Sequence, residues 1–139
     1  MGINAVELAL KVTATGEISR VKLTTPLYRS VQKEIGGYME IVKPKRLNEP
    51  FCMIVDEEGL IKGLPPNQIG SYLHETDKHG HPIVGDILIM KIGITDKGPD
   101  IVGLDEKDMK ILEETPWLEM LRKSKNNEGG NDCELNSGK

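Results

Sequence analysis

The chain has 139 residues, of which 37% are apolar and 29% are charged, and its net charge is -4. This length suits one domain with one core, because single domains usually run to about 100–150 residues. The aromatic residues are one Phe, one Trp and three Tyr, which are too few to tile a base-stacking surface. The acidic balance also argues against a surface that binds nucleic-acid phosphates. The composition therefore predicts a globular domain with an aliphatic core.

The sequence gives no indication of export or membrane insertion. Its first residues lack the basic region and the apolar stretch of a signal peptide. Every apolar run is much shorter than the roughly 20 residues needed to cross a bilayer. The two cysteines, Cys52 and Cys133, have neither C-x-x-C spacing nor the pattern of a disulfide framework. We therefore expect a soluble cytoplasmic protein without a membrane partner.

The first part of the chain predicts a β-hairpin followed by a helix. Apolar and polar residues alternate over residues 5–12 and again over 18–24, and a turn that contains glycine separates the two segments. Thr25-Pro26 then supplies a helix cap and a first helical residue, and the following apolar residues recur at intervals of four. Gly36-Gly37 ends this helix. The helix is therefore expected at about 26–35.

The rest of the chain predicts more strands, a short helix and a C-terminal helical segment that begins at Asp105. The most apolar stretch should be the central strand of the sheet. The short helix is expected at about 67–74, and the strands at 38–43, 51–55, 60–64, 83–94 and 101–104. The fold class is therefore α+β with a mainly antiparallel sheet. We expect one domain over 1–123 and a disordered polar tail over 124–139.

Three segments are candidates for chemistry. Asp56-Glu57-Glu58-Gly59 places three carboxylates in four residues, which suits either a hard cation or a solvated turn. The loop that follows His74 contains His79 and His81 in an H-x-H pattern, but a zinc site needs three or four ligands. Gly36-Gly37 leaves backbone N–H groups open to a ligand, or simply ends a helix. Because none of these segments completes a catalytic or metal motif, the sequence favours a non-enzymatic protein without a cofactor.

Several short motifs follow one another in the middle of the chain. They are Tyr28 and Gln32, then Gly36-Gly37-Tyr38-Met39-Glu40, the acidic segment 56–59, Lys62-Gly63-Leu64-Pro65-Pro66-Asn67, and Gly85-Asp86. Over about residues 25–92 this order resembles a family of small domains of unknown function found in bacteriophages, plasmids and gut bacteria. The resemblance implies a mobile-element setting, with the host cytoplasm as the location of a phage-encoded protein. It implies no established activity.

The motif residues lie at the ends of different predicted elements, where a small domain can bring several polar groups to one pocket. The alternative is that they cap helices and turns and so fix the fold. No catalytic or metal-binding residue is assigned. The candidate ligand-binding residues are Tyr28, Gln32, Gly36, Gly37, Tyr38, Glu40, Asp56, Lys62, Asn67 and Asp86.

Three functions from different classes are compatible with these observations. The first is a non-enzymatic accessory protein of a phage or mobile element. It would bind a small polar ligand, such as a nucleotide signal, or a host defence protein that it inhibits. The second is a protein–protein adaptor whose N-terminal hairpin adds a strand to a partner sheet. The third is a small metal-dependent hydrolase that uses the acidic segment and the histidine loop. Homo-oligomerisation is compatible with all three.

Overall fold

A computed structural model describes residues 7–115. Contacts divide the chain into two units, Met1–Asp105 and Glu106–Lys139. The predicted tail at 124–139, the predicted boundary at residue 123 and the helical segment beyond residue 115 lie outside the described residues and stay predictions. The elements are β1 (Glu7–Val12), β2 (Ile18–Leu23), α1 (Leu27–Ile35), β3 (Met39–Val42), β4 (Phe51–Asp56), α2 (Gly59–Lys62), α3 (Gln68–Leu73), α4 (Thr76–His79), β5 (Ile87–Thr95), β6 (Gly98–Val102) and, in the second unit, α5 (Glu106–Glu113).

The strands of the described residues form one six-stranded sheet with the order β2-β1-β5-β4-β3, and β6 also pairs with β5. Every pair is antiparallel. Lys91 of β5 has Phe51 of β4 as one neighbour and Val102 of β6 as the other. β6 therefore continues along the edge of β5 that β1 also occupies. The predicted α+β class, the N-terminal hairpin and the central position of the apolar strand are confirmed.

Both faces of the middle of the sheet are covered. On one face, Val31 and Ile35 of α1 belong to a buried cluster with Leu88 of β5. On the other face, Gly70 of α3 lies so close to the sheet that an added Cβ would come within 3.1 Å of the Ile87 side chain. All six residues of β4 are buried. This double coverage explains why β4 and the first half of β5 are continuous apolar runs without alternation.

Helix α1 lies where the sequence predicts it, but its first turn is capped differently. The residue before the helix is Pro26, which has no side chain that could cap it. Instead the Ser30 hydroxyl accepts a hydrogen bond from the Thr24 N–H at 3.0 Å. The helix ends at Gly36, whose φ of 87° is left-handed. This conformation has little steric cost for glycine, so the predicted role of Gly36 as the end of α1 is confirmed.

The predicted strand at 60–64 is wrong, and the acidic segment before it is not a hairpin turn. Asp56 Oδ1 accepts a hydrogen bond from the Glu58 N–H at 2.8 Å, which turns the chain directly after β4. Gly59 is buried, and a Cβ there would fall 2.7 Å from the Val84 side chain. The segment continues as helix α2. Strand β4 pairs with β3 and β5 instead of with a strand at 60–64. The predicted polar loop at 74–82 likewise contains the short helix α4.

The two-sided burial of β5 predicts a large loss of stability for Leu88→Ala. Leu88 is 0% exposed, whereas Ile94 in the same strand is 82% exposed. Removal of a buried leucine side chain costs about 2–5 kcal/mol, so the free energy of unfolding should fall by that amount. Ile94→Ala is the control and should change it by no more than about 0.5 kcal/mol. Chemical denaturation measures both values, and equal losses would contradict this placement of the core.

Candidate functional site

An ion pair between a buried carboxylate and an exposed lysine lies at the end of β4. The Asp56 side chain is 1% exposed, and its Oδ2 lies 2.7 Å from Lys62 Nζ. Lys62 Nζ also donates a hydrogen bond to the carbonyl oxygen of Gly36 at 3.2 Å. The other carboxylate oxygen of Asp56 is used in the turn to α2. The ion pair therefore joins the end of β4, helix α2 and the end of helix α1.

The second glycine of the Gly36-Gly37 pair makes room for this ion pair. A Cβ at Gly37 would lie 2.6 Å from Lys62 Nζ and 2.7 Å from Asp56 Oδ2, so any other residue at this position would have to displace the ion pair. Directly after it, the Tyr38 carbonyl oxygen accepts a hydrogen bond from the Glu57 N–H at 2.8 Å and so starts the pairing of β3 with β4. Gly36 therefore ends helix α1, and Gly37 lets the backbone lie close to the ion pair.

The surroundings of Asp56 hold its carboxylate in the charged form. Burial opposes the charge, but the hydrogen bonds from Lys62 and from the Glu58 N–H, together with the charge of Lys62, outweigh it. The pKa of Asp56 is therefore below its usual value of 3.8. A group whose pKa is lower in the folded state stabilises the fold above its unfolded-state pKa. That contribution disappears as the pH falls through the lower pKa of the folded protein.

We expect Asp56→Asn to lower the free energy of unfolding by roughly 1–3 kcal/mol at neutral pH, because it removes a charged hydrogen-bond partner from a buried site. Glu58→Gln, which removes a charge from an exposed side chain two residues away, is the control and should have little effect. Urea denaturation from neutral pH to below pH 3 measures the difference. The gap between wild type and Asp56→Asn should close in acid. A gap that persists unchanged there would contradict the proposed role of the charge.

Asn67 and Asp86 attach the N-terminal hairpin to the rest of the unit. Asn67 is fully buried. Its Oδ1 accepts a hydrogen bond from the Gly70 N–H at 2.9 Å and so caps helix α3. Its Nδ2 donates to the carbonyl oxygens of Val12 at 3.0 Å and Gly85 at 2.8 Å. Asp86 Oδ1 accepts from the Ala14 N–H in the hairpin turn at 3.0 Å. Both amide donors of Asn67 are therefore used within the fold.

The buried contacts of Asn67 predict that Asn67→Ala lowers the free energy of unfolding by about 2–4 kcal/mol. This loss combines the helix cap and the two backbone carbonyls left without a partner. Gln68→Ala, at the exposed neighbouring position, is the control and should stay within about 0.5 kcal/mol of wild type. Thermal or chemical denaturation distinguishes the two variants. A stable Asn67→Ala protein would show that these hydrogen bonds do not hold the hairpin.

An open cleft of about 200 Å³ lies next to the ion pair. Glu40 of β3 and Glu57 bring exposed carboxylates to it, and His74 contributes an imidazole from the end of α3. Burial and the neighbouring His79 and His81 lower the pKa of His74, although the Glu40 charge opposes this shift. The cleft is therefore acidic at neutral pH. The remaining lining residues are Val42, Val55, Asp56, Leu60, Pro82, Ile83 and Val84.

Arg46 holds the loop that carries His74. Its Nη1 donates to the Tyr72 carbonyl oxygen at 2.9 Å, and its guanidinium carbon lies 4.5 Å from the centre of the Tyr72 ring. The same guanidinium contacts Asp77 at 3.1 Å and Glu75 at 3.6 Å. Arg46, His74 and Glu57 were not among the candidate ligand-binding residues chosen from the sequence. The only sequence feature that could have indicated the Arg46 contact is its charge opposite to that of Asp77. The two residues are 31 positions apart, so the sequence does not show that they meet.

The structure divides the ten predicted ligand-binding residues among several places. Gly36, Gly37, Asp56 and Lys62 meet at the ion pair, and Glu40 and Asp56 meet at the cleft. Asn67 and Asp86 lie beside the hairpin. Tyr28 and Tyr38 are exposed to 50% and 64%. The side chains of Tyr28 and Gln32 belong to α1 and do not line the cleft.

Three features of the described residues concern metal ligands, the thiol and membrane spans. Within residues 7–115, no group of three or more His, Cys, Asp or Glu side chains is placed to hold a metal ion. In the histidine loop, His79 Nδ1 accepts a hydrogen bond from the His81 N–H at 3.1 Å. Burial raises the pKa of the Cys52 thiol to about 11, so the thiolate is scarce at neutral pH. None of the helices in this part of the chain is long and apolar enough to span a membrane.

The first unit is thus an α+β domain in which helices cover both faces of an antiparallel sheet, with an ion pair around the buried Asp56 carboxylate beside an acidic cleft. The family described as "Domain of unknown function (DUF3846)" matches residues 7–116, and the chain belongs to this family. No curated protein and no solved structure matches the chain. Membership of a family of domains of unknown function is therefore confirmed, whereas the mobile-element origin and the motif pattern stay predictions.

Proposed function

We propose that this domain is a non-enzymatic binding protein of a phage or another mobile element. It acts by holding a partner protein, such as a host defence protein, through the acidic cleft. The order of the sequence motifs supports the mobile-element setting. The cleft supports the binding role because it combines apolar walls with a few convergent polar groups, as ligand sites usually do.

The size of the cleft favours one side chain of a protein over a whole nucleotide. Sites for drug-sized molecules usually enclose about 300–1,000 Å³, whereas this cleft encloses about 200 Å³ and is open to solvent. A lysine or arginine side chain fits such a volume. A nucleotide would leave most of its surface outside. Between the two ligands predicted from the sequence, size therefore favours the partner protein.

The charge of the cleft favours a cation. Glu40 and Glu57 are both exposed at its rim, and the carboxylate of Asp56 already has Lys62 as its partner. A phosphate group would meet two carboxylates, and like charges at short range repel. A lysine ammonium or an arginine guanidinium would gain two charged hydrogen-bond acceptors beside an apolar wall. This acidic rim is the observation on which the proposed function rests.

Small cations test this proposal directly, because they need only the cleft. Agmatine and arginine amide, titrated into the ¹⁵N-labelled protein, should shift the amide signals of Glu40, Glu57 and His74. Glu40→Gln combined with Glu57→Gln should weaken this binding about tenfold or more, which corresponds to about 1.4 kcal/mol. Glu17→Gln, in the turn of the hairpin, is the control and should bind like wild type. Adenosine monophosphate should cause no shift at the cleft.

Two outcomes of this titration would contradict the proposed function. The first is that neither cation shifts the signals of the cleft. The second is that the nucleotide shifts them more strongly than the cations do, which would favour the nucleotide-signal hypothesis instead.

A further inference from the structure

We infer that β3 is the edge to which the partner adds an extended strand, with a cationic side chain opposite Glu40 and an apolar side chain opposite Ile41. This inference rests on the proposed function, since it specifies how the partner occupies the same cleft. It concerns an edge of the sheet different from the N-terminal hairpin that the sequence suggested for strand addition.

Strand β3 pairs with β4 on one side, and among residues 7–115 no strand pairs with its other side. The hydrogen bond from the Glu57 N–H to the Tyr38 carbonyl oxygen fixes which residues face β4. In an antiparallel ladder, hydrogen-bonded and non-hydrogen-bonded pairs alternate. Glu40 therefore bonds to β4, whereas the N–H and C=O groups of Met39 and Ile41 point to the open side. They can bond to an added strand without disturbing the existing sheet.

The bonding on the far side of β4 agrees with this assignment. The Ile92 N–H donates to the Pro50 carbonyl oxygen at 2.8 Å, which makes Pro50 and Ile92 a hydrogen-bonded pair. By the same alternation, Ile54 directs its N–H and C=O groups toward β5. They are then turned away from its β3 neighbour, Ile41. The backbone groups of Ile41 therefore have no partner in β4.

The side chains of β3 define what the added strand should carry. Tyr38 and Glu40 alternate onto the face of the cleft, and Ile41, which is 40% exposed, lies on the opposite face. A residue opposite Glu40 in the added strand would lie on the face of the cleft, where a lysine or arginine can reach both carboxylates. The next residue would pack against Ile41 and should be apolar.

The charge of Glu40 argues against one symmetric pairing of two β3 strands, the register centred on Glu40. Two copies paired antiparallel about Glu40 would place the two carboxylates directly opposite each other, which is destabilising. The other edge of the sheet, β2, carries the cations Arg20 and Lys22 on either side of Val21. A second copy could therefore present β2 to β3. The partner we infer is a different protein, and pairing between copies is a separate outcome of the test.

The experiment uses the full chain and a short synthetic peptide in which lysine alternates with valine. Fluorescence anisotropy should show binding to wild type and no binding of the matching peptide with glutamate in place of lysine. Ile41→Pro removes an N–H that points away from β4, so β3 keeps its pairing, as proline does on edge strands. The peptide should bind this variant at least about tenfold more weakly. Glu40→Gln should also weaken binding, whereas Glu17→Gln should leave it unchanged.

Peptides with a methylated backbone keep the test valid if Ile41→Pro fails to fold, which circular dichroism would show. A strand turns alternate N–H groups toward its neighbour. The valines lie opposite Met39 and Ile41, whose backbone groups face the open side, so the peptide methylated at the valine nitrogens should lose binding, whereas the peptide methylated at the lysine nitrogens should keep it. Equal binding of both would overturn strand addition.

The outcomes separate this inference from the proposed function. If agmatine binds the cleft but the alternating peptide does not bind, or binds Ile41→Pro as well as wild type, strand addition is wrong and the proposed function stands. If agmatine does not bind, the proposed function itself fails. If sedimentation without peptide shows oligomers that Ile41→Pro dissolves, the occupant of β3 is a second copy, and the inferred partner is overturned.

Discussion

The ion pair between Asp56 and Lys62 is the interaction on which the arrangement of this domain depends. Removing a carboxylate from water is expensive, and a buried ion pair often adds little net stability. Its effect here is geometric, because the carboxylate has to be reached by Lys62 and by the Glu58 N–H. These two contacts turn the chain after β4 into α2. They also bring Gly37 against the pair, so that β3 starts directly beside the end of β4.

The position of β3 follows from that constraint. Because Gly37 packs on the ion pair, Tyr38 meets Glu57, and the alternation of the ladder is fixed from this first hydrogen bond. A shift of one residue would move every side chain of β3 to the opposite face of the sheet. Glu40 would then face α1 instead of the cleft. The buried carboxylate of Asp56 thus determines which side chains of β3 face the cleft, although Asp56 itself is not exposed to a ligand.

The polar motif residues are of two physical kinds. Asn67 and Asp56 are buried and use their polar atoms in contacts within the domain. A ligand could bind these atoms only by breaking contacts that hold the fold. Glu40 and Tyr38 are exposed and can bind without that cost. A sequence motif lists both kinds together, and only the structure separates the residues that build the domain from those that face solvent.

The elements that were predicted correctly are those whose own sequence pattern determines their secondary structure. The alternation in the hairpin, the four-residue spacing in α1 and the apolar run of β5 each match the observed element. The error at 60–64 arose because Leu60 and Ile61 look like strand residues. In the structure, however, their side chains are 67% and 87% exposed, and the turn at Asp56 overrides their preference. The cleft could not be predicted, because it forms only where the end of α3 brings His74 to the face of the sheet that carries Glu40.

In the inferred complex, the acidic centre of the short edge strand β3 has two effects. An open edge is a risk, because any extended chain, including another copy, can pair with it. The carboxylate of Glu40 penalises self-pairing in the register centred on this residue, since the two copies would then place the same charge directly opposite each other. The same carboxylate favours a strand that brings a cation. Discrimination between partners needs both a repulsive and an attractive element, and Glu40 supplies the two with one side chain.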